Sequence, residues 1–190
     1  MAIVLCSKVI FHHMNVPVIE TPHLLLRAWT PGDAEAWFNI LQEEDILRYF
    51  PNPVPPSREK AGEYISHQLA HWAQFGYGHW AVVTPEDGRV VGWNGLEYLP
   101  ELDETEVAYL LSRRVWGRGF ATEAARAAVQ FGFEIAGLAQ IIGLVHPGNT
   151  GSVRVLEKCG LRFADRITLW GLEMLRYRVQ RAAFGNNPAS

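Results

Sequence analysis

The run "LLSRRVWGRGFATEAARAAVQFGFEIAG", from Leu110 to Gly137, limits what this chain can fold into more than any other stretch. An apolar, strand-forming segment leaves through a turn with glycine at 117 and 119 and passes at once into an alanine-rich helical pattern. The next apolar run, "QIIGLVH", has strand character, so Glu106 to His146 reads as strand, helix, strand. A crossover of this kind joins parallel neighbours and is right-handed. It requires a sheet with a helix laid against it.

The remaining pattern supplies the other strands. "HLLLRAW" reads as a strand, and Thr30, Pro31 and Asp33 offer helix-start chemistry before "AEAWFNILQEE". The proline-rich "FPNPVPPS" separates that helix from a second, near Ser57 to Phe75, with Ser57 as its N-cap. "GHWAVVT", the turn "EDG" and "RVVGWNGLEYL" form a β-hairpin, and "EVAYLLS" leads into the glycine turn. A helix from Asn149 to Cys159 and two strands in "RFADRITLWGLEMLRYRV" close the chain. The predicted class is mixed α+β: one domain over residues 17–181, an extension at 1–16 and a tail at 182–190. Met14 could itself serve as a start.

Composition removes several functions. With 48% hydrophobic and 19% charged residues in 190, the chain has enough apolar surface for a substantial core and too much for disorder. A formal charge of -3 leaves no basic footprint for nucleic acid. Cys6 and Cys159 are too few for a disulfide framework or a zinc cluster, which favours a reducing compartment and a cytoplasmic location. "MAIVLCSKVIFHH" is too short to span a bilayer and lacks the pattern of a signal peptide, so no membrane is expected.

Helix starts present backbone N–H groups without intrahelical partners, and the macrodipole adds positive potential there. Glycine lets a phosphate approach that backbone closely, so Gly117 and Gly119 suggest a pyrophosphate cradle, although a plain strand-to-helix turn has the same spacing. A dinucleotide fingerprint would need its third glycine at Thr122 and an acidic residue near Val145 or His146, and both are missing. A Walker A loop occurs nowhere.

"WGRGFATEA" with "NTGSVRVLEKCGL" resembles the GNAT superfamily of N-acetyltransferases, and more closely its branch that acetylates ribosomal-protein N-termini. The resemblance covers roughly Thr21 to Val179. It implies a mostly antiparallel sheet with one splayed parallel pair and about four helices, acetyl-CoA as cosubstrate, no metal, and an amine acceptor bound by a monomer or homodimer. The family's phosphate loop, Q/RxxGxG/A, places its last two named positions on Gly119 and Ala121 and its first on Trp116, which departs from the pattern. The backbone from Gly117 through Arg118, Gly119, Phe120 and Ala121 to Thr122 is left as the expected phosphate grip. Asn149 would bind the pantetheine arm, and Leu110, Leu111, Ser112 and Arg113 would form the edge to which that arm adds. A peptide α-amine is the favoured acceptor over an amino sugar or polyamine, and a non-catalytic CoA-binding module is the rival reading.

Acetyl transfer needs a neutral amine, so a carboxylate base is sought, and Glu106 on the strand before the turn is the choice over Glu97 and Glu173. Backbone N–H groups at the splay would polarise the thioester. Many relatives carry a proton-donating tyrosine seven residues after the motif asparagine; here that position is Leu156, and Ser152 is the nearest polar replacement. His67 and His71 read as a surface pair, Cys159 as buried packing, and Trp37, Trp72, Trp80 and Trp93 mainly as core.

Overall fold

The computed structural model describes residues 16–184, so Cys6, Met14 and the end of the tail lie outside the described residues. Eight strands form one sheet: β1 (Ile19–Glu20), β2 (Leu25–Arg27), β3 (His79–Thr84), β4 (Arg89–Leu99), β5 (Glu104–Leu111), β6 (Gln140–Val145), β7 (Arg162–Leu169) and β8 (Leu172–Gln180). Their order is β1-β2-β3-β4-β5-β6-β8-β7. Every neighbouring pair is antiparallel except β5 and β6, which are parallel as the crossover demanded. The helices are α1 (Ala34–Leu41), α2 (Arg58–Phe75), α3 (Phe120–Glu134), α4 (Thr150–Lys158) and a short α5 (Arg181–Phe184). The mixed α+β class is thus observed.

The parallel pair barely holds together. Register between β5 and β6 is confined to Glu106 opposite Ile142, whereas β4 and β5 pair from Gly92 opposite Leu111 to Leu99 opposite Glu104. β6 in turn stays with β8 from Gln140 to Val145. Past Glu106 the two strands therefore follow different partners, and a gap opens between them.

Two cores cover the two faces, as the period of two along a strand requires. Val107 and Leu111 of β5 pack with α3 and α4, beside Ala124, Ala125 and Ala128. Leu110 faces the other way, into a cluster with Trp29, Trp37, Ile65 and Trp93 under α1 and α2. The alanines explain the composition of α3: fully buried, they let the helix lie close on the sheet, and Asn94 on β4 donates to the Ala124 carbonyl beneath it.

The structure differs from the sequence reading at element ends. α1 stops at Leu41, and the expected helical "QEE" turns instead, with Asp45 in the left-handed region at φ 58°. The helix expected from about Gly117 begins, as α3, only at Phe120, because Gly117 and Gly119 hold φ of 75° and 82°. Backbone crowding also fixes a residue outside the turn: a Cβ on Gly95 would lie 2.1 Å from the Gly78 carbonyl oxygen. Gly95→Ala should therefore destabilise the fold by about 3 kcal/mol, read from urea unfolding.

Candidate active site

Gly119 is the N-cap of α3 and supplies no side-chain cap, so the N–H groups of the first turn face outward without a partner inside the helix. The acidic residue of that turn, Glu123, is held elsewhere: it accepts from Thr21 Oγ1 (2.6 Å) and the His23 backbone (2.8 Å). A Cβ at Gly117 or Gly119 would meet nothing within 4 Å, so their space is open to a ligand. Arg113, Arg114 and Arg118 stand exposed around the turn, the last over the Phe120 ring. A groove of about 990 Å³ continues from Gly119 along α3 past Thr122, Arg126 and Lys158. An uncapped helix start, bare glycines and surrounding cations fit a pyrophosphate.

Trp116 has a different job from the side chain it replaces. Its indole Nε1 donates to the Leu111 carbonyl at 2.7 Å, and the Arg113 guanidinium lies over its ring. It braces the turn against the end of β5.

Ser112 N–H donates to the Val91 carbonyl of β4. Strand alternation then directs the backbone groups of Tyr109 and the Leu111 N–H away from β4 into the gap, while the Leu111 carbonyl is taken by Trp116. Ser112 and Arg113 offer less of the expected edge. Glu43, in the connection after α1, accepts from Ser112 Oγ (2.6 Å) and from the Arg113 N–H (2.7 Å), while the Ser112 carbonyl accepts from Val115. That connection also reaches the other lip, where Tyr49 packs on His146 at 5.3 Å between ring centres. It thus touches the ends of both strands.

Glu106 lies where the strands part, and its Oε1 accepts from the Leu144 N–H of β6 at 3.0 Å. Burial is the main cause that pushes its pKa up to about 8; the Leu144 bond works against this, and the nearby Glu97 charge adds to it. Glu97 faces it directly across β4 and β5. Glu173 is elsewhere: it forms an exposed ion pair with Arg166 on the last hairpin, at 2.6 Å.

Asn149 caps α4 through Oδ1, which accepts from the Ser152 N–H at 3.1 Å, leaving its amide nitrogen for a ligand. Leu156 fills the core against Gly143, where a Cβ would lie 2.5 Å from Leu156 Cδ2, so this position points inward. A phenol reaches the start of α4 from the strand instead. Tyr109 Oη lies 2.8 Å from Ser152 Oγ, and burial, the largest cause, raises its pKa and keeps it protonated. Sequence reasoning missed Tyr109, although alternation with Val107 and Leu111 aims it at α4; for Glu43 no sequence signal existed.

Other candidates resolve into packing. His71 is buried rather than at the surface: Nδ1 bonds the Tyr77 carbonyl (2.8 Å) and Nε2 faces the Tyr98 N–H (3.4 Å), tying α2 to the sheet. His67 is exposed, and among the described residues no group of three His, Cys, Asp or Glu could hold a metal ion. Cys159 is buried with its thiol pushed up to about 12 by desolvation. Trp37, Trp72, Trp80 and Trp93 are all buried. No described helix is long and apolar enough to cross a membrane.

The chain is similar to several known proteins. Residues 23–162 match the family described as the acetyltransferase (GNAT) domain. An uncharacterised N-acetyltransferase of Bacillus licheniformis, p20, is 33% identical over 73% of this chain and 79% of its own. An acetyltransferase structure from Agrobacterium tumefaciens is 28% identical, covers 87% of this chain and 95% of its own, and superposes with a TM-score of 0.77. RimL, a ribosomal-protein α-N-acetyltransferase solved in complex with coenzyme A, shares the fold at a TM-score of 0.74 and 14% identity, over 86% of this chain and 98% of its own.

Proposed function

The chain belongs to the GNAT acetyltransferases, and on that premise we propose that it moves an acetyl group from acetyl-CoA directly to a primary amine in a ternary complex, with a peptide α-amine as the preferred acceptor. One observation carries the reading: a buried carboxyl group, Glu106, held by the Leu144 N–H where β5 and β6 part. Burial raises its pKa above that of an ordinary carboxylate, which suits a base acting on an α-amine near 8 better than one acting on a lysine near 10.4. RimL acts on a ribosomal-protein N-terminus, which supports the same acceptor class.

In this scheme the Glu106 carboxylate takes a proton from the ammonium. The neutral nitrogen attacks the thioester carbonyl carbon, whose developing oxyanion is met by backbone N–H groups of β5. The tetrahedral adduct loses its second amine proton to solvent as the C–S bond breaks, and the departing thiolate takes a proton from Tyr109, which is replenished through Ser152. The backbone from Gly117 to Thr122 holds the pyrophosphate, Leu111 and Asn149 the pantetheine arm. The two cysteines fit a reducing, cytoplasmic setting.

Thiol release from acetyl-CoA over a panel of N-terminal peptides, aminoglycosides and polyamines tests the proposal. Turnover is expected with peptides. Turnover on an aminoglycoside alone would replace the acceptor, and tight acetyl-CoA binding without turnover on any amine would favour the non-catalytic module. Tyr109→Phe is expected to lower kcat about tenfold or more while leaving acetyl-CoA affinity within about twofold. Stopped-flow thiol release and calorimetry measure the two effects separately.

A further inference from the structure

Glu97 and Glu106 are directly opposed on β4 and β5, so both side chains leave the same face of the sheet. Glu97 is not left to solvent. His79 of β3, almost wholly buried and stacked on Trp93 with 4.1 Å between ring centres, brings Nε2 to 3.3 Å from Glu97 Oε2. That contact lacks the alignment of a hydrogen bond, and Nε2 has no other partner. The ring's opposite nitrogen, Nδ1, lies 2.9 Å from the Tyr64 hydroxyl of α2, and Gln68 Oε1 accepts from the His79 backbone N–H at 3.0 Å.

Hence a line of groups, Tyr64, His79 and Glu97, ends beside the proposed base. With Tyr64 donating to Nδ1, the ring carries its proton on Nε2, the nitrogen nearer the Glu97 carboxylate, which it meets at electrostatic range rather than in a hydrogen bond. Desolvation, the largest cause, lowers the His79 pKa to about 3, so the ring stays neutral and does not cancel the charge of Glu97.

Resting on the acetyl-transfer reading, we infer that Glu97 is a positioning residue that sets how readily Glu106 takes a proton, and that His79 and Tyr64 hold its carboxylate for this role. When ionised, Glu97 favours the protonated form of its neighbour, adding to the burial that is the larger cause of the raised Glu106 pKa; burial raises Glu97 as well, so the two carboxyls titrate as a coupled pair. His67 of α2 and Glu101 after β4 act on Glu97 by charge, and His71 and His67 act on His79. Glu106 is coupled by charge to Tyr109, on the opposite face of β5, as well as to Glu97.

An infrared titration of the buried carboxylic-acid carbonyl band, from pH 5 to 10 on the full chain, tests this without any acceptor. The band assigned to Glu106 is the one missing from Glu106→Gln. Its midpoint is expected near 8 in the wild type. In Glu97→Gln it should fall by about half a unit or more, as loss of a like charge at cross-strand range demands. Glu97→Asp should restore most of that shift, and His79→Gln should lower the midpoint in the same direction as Glu97→Gln. Thermal melts identify folded variants, and Glu97→Met, which also removes the charge and keeps the length, serves with the same expected fall if Glu97→Gln does not fold. An unchanged midpoint in the folded charge-removing variant, or a fall in Glu97→Asp as large as in that variant, overturns the inference. Full amine acetylation by Glu106→Gln would instead overturn Glu106 as the base and leave the coupling of the two carboxyls standing.

Discussion

Glu106→Gln is expected to lower kcat for amine acetylation by about 100- to 10,000-fold, the usual contribution of a positioned general base. Affinity for acetyl-CoA should be preserved, because the Gly117–Thr122 backbone is untouched. The loss depends on pH in a fixed direction. Glu106 takes its proton from an ammonium, and an α-amine is already mostly neutral above about 8, so the loss should be greatest on the acid side and should narrow above 8. Stability gives a second reading of the same group. Its folded pKa lies above the unfolded value near 4.3, so its contribution to stability is full below that value and is lost as pH rises through about 8. A neutral glutamine escapes this loss. Thermal unfolding of Glu106→Gln relative to wild type should therefore improve between pH 5 and pH 9, and an equal difference at both would show that Glu106 ionises normally.

Substitution at Gly119 should have the next largest effect, here on binding. Gly119→Val puts a branched side chain at φ 82°, in the left-handed region where such residues are strained, and should cost stability as well as weaken acetyl-CoA by about 100-fold. Gly119→Asn separates the two causes, because asparagine tolerates that region. It should keep most of the wild-type melting temperature and still lose most of the affinity. The protein itself leaves room for a Cβ at this position, so a binding loss in Gly119→Asn points to obstruction of the ligand.

Most of the architecture was legible because local and global signals agree. The strand, turn and helix around Gly117 and Gly119, Ser57 as N-cap of α2, and Asn149 as N-cap of α4 each have a side-chain or backbone cause within a few residues. Less legible were features made by contacts distant in sequence. Glu43 reaches Ser112 across 69 residues, and Tyr109 meets Ser152 across 43. No periodicity encodes such pairs. Leu156 could be read as a departure from the family pattern, but its reason, a side chain filling the space against Gly143, exists only once β6 and α4 are packed. His71 misled for the same reason: i, i+4 spacing with His67 suggested one exposed face, whereas Tyr77 and Tyr98 draw His71 alone into the interior.

Everything proposed for the chemistry depends on acetyl-CoA lying with its pyrophosphate on the uncapped start of α3. Calorimetric titration of acetyl-CoA into wild type and into folded Gly119→Asn tests that placement most directly. The account predicts one saturable site in the wild type and an affinity about 100-fold lower in the variant, with both proteins melting at similar temperatures. Equal affinity in the two would contradict it, and would mean that the bare turn serves only to pass the chain from β5 into α3.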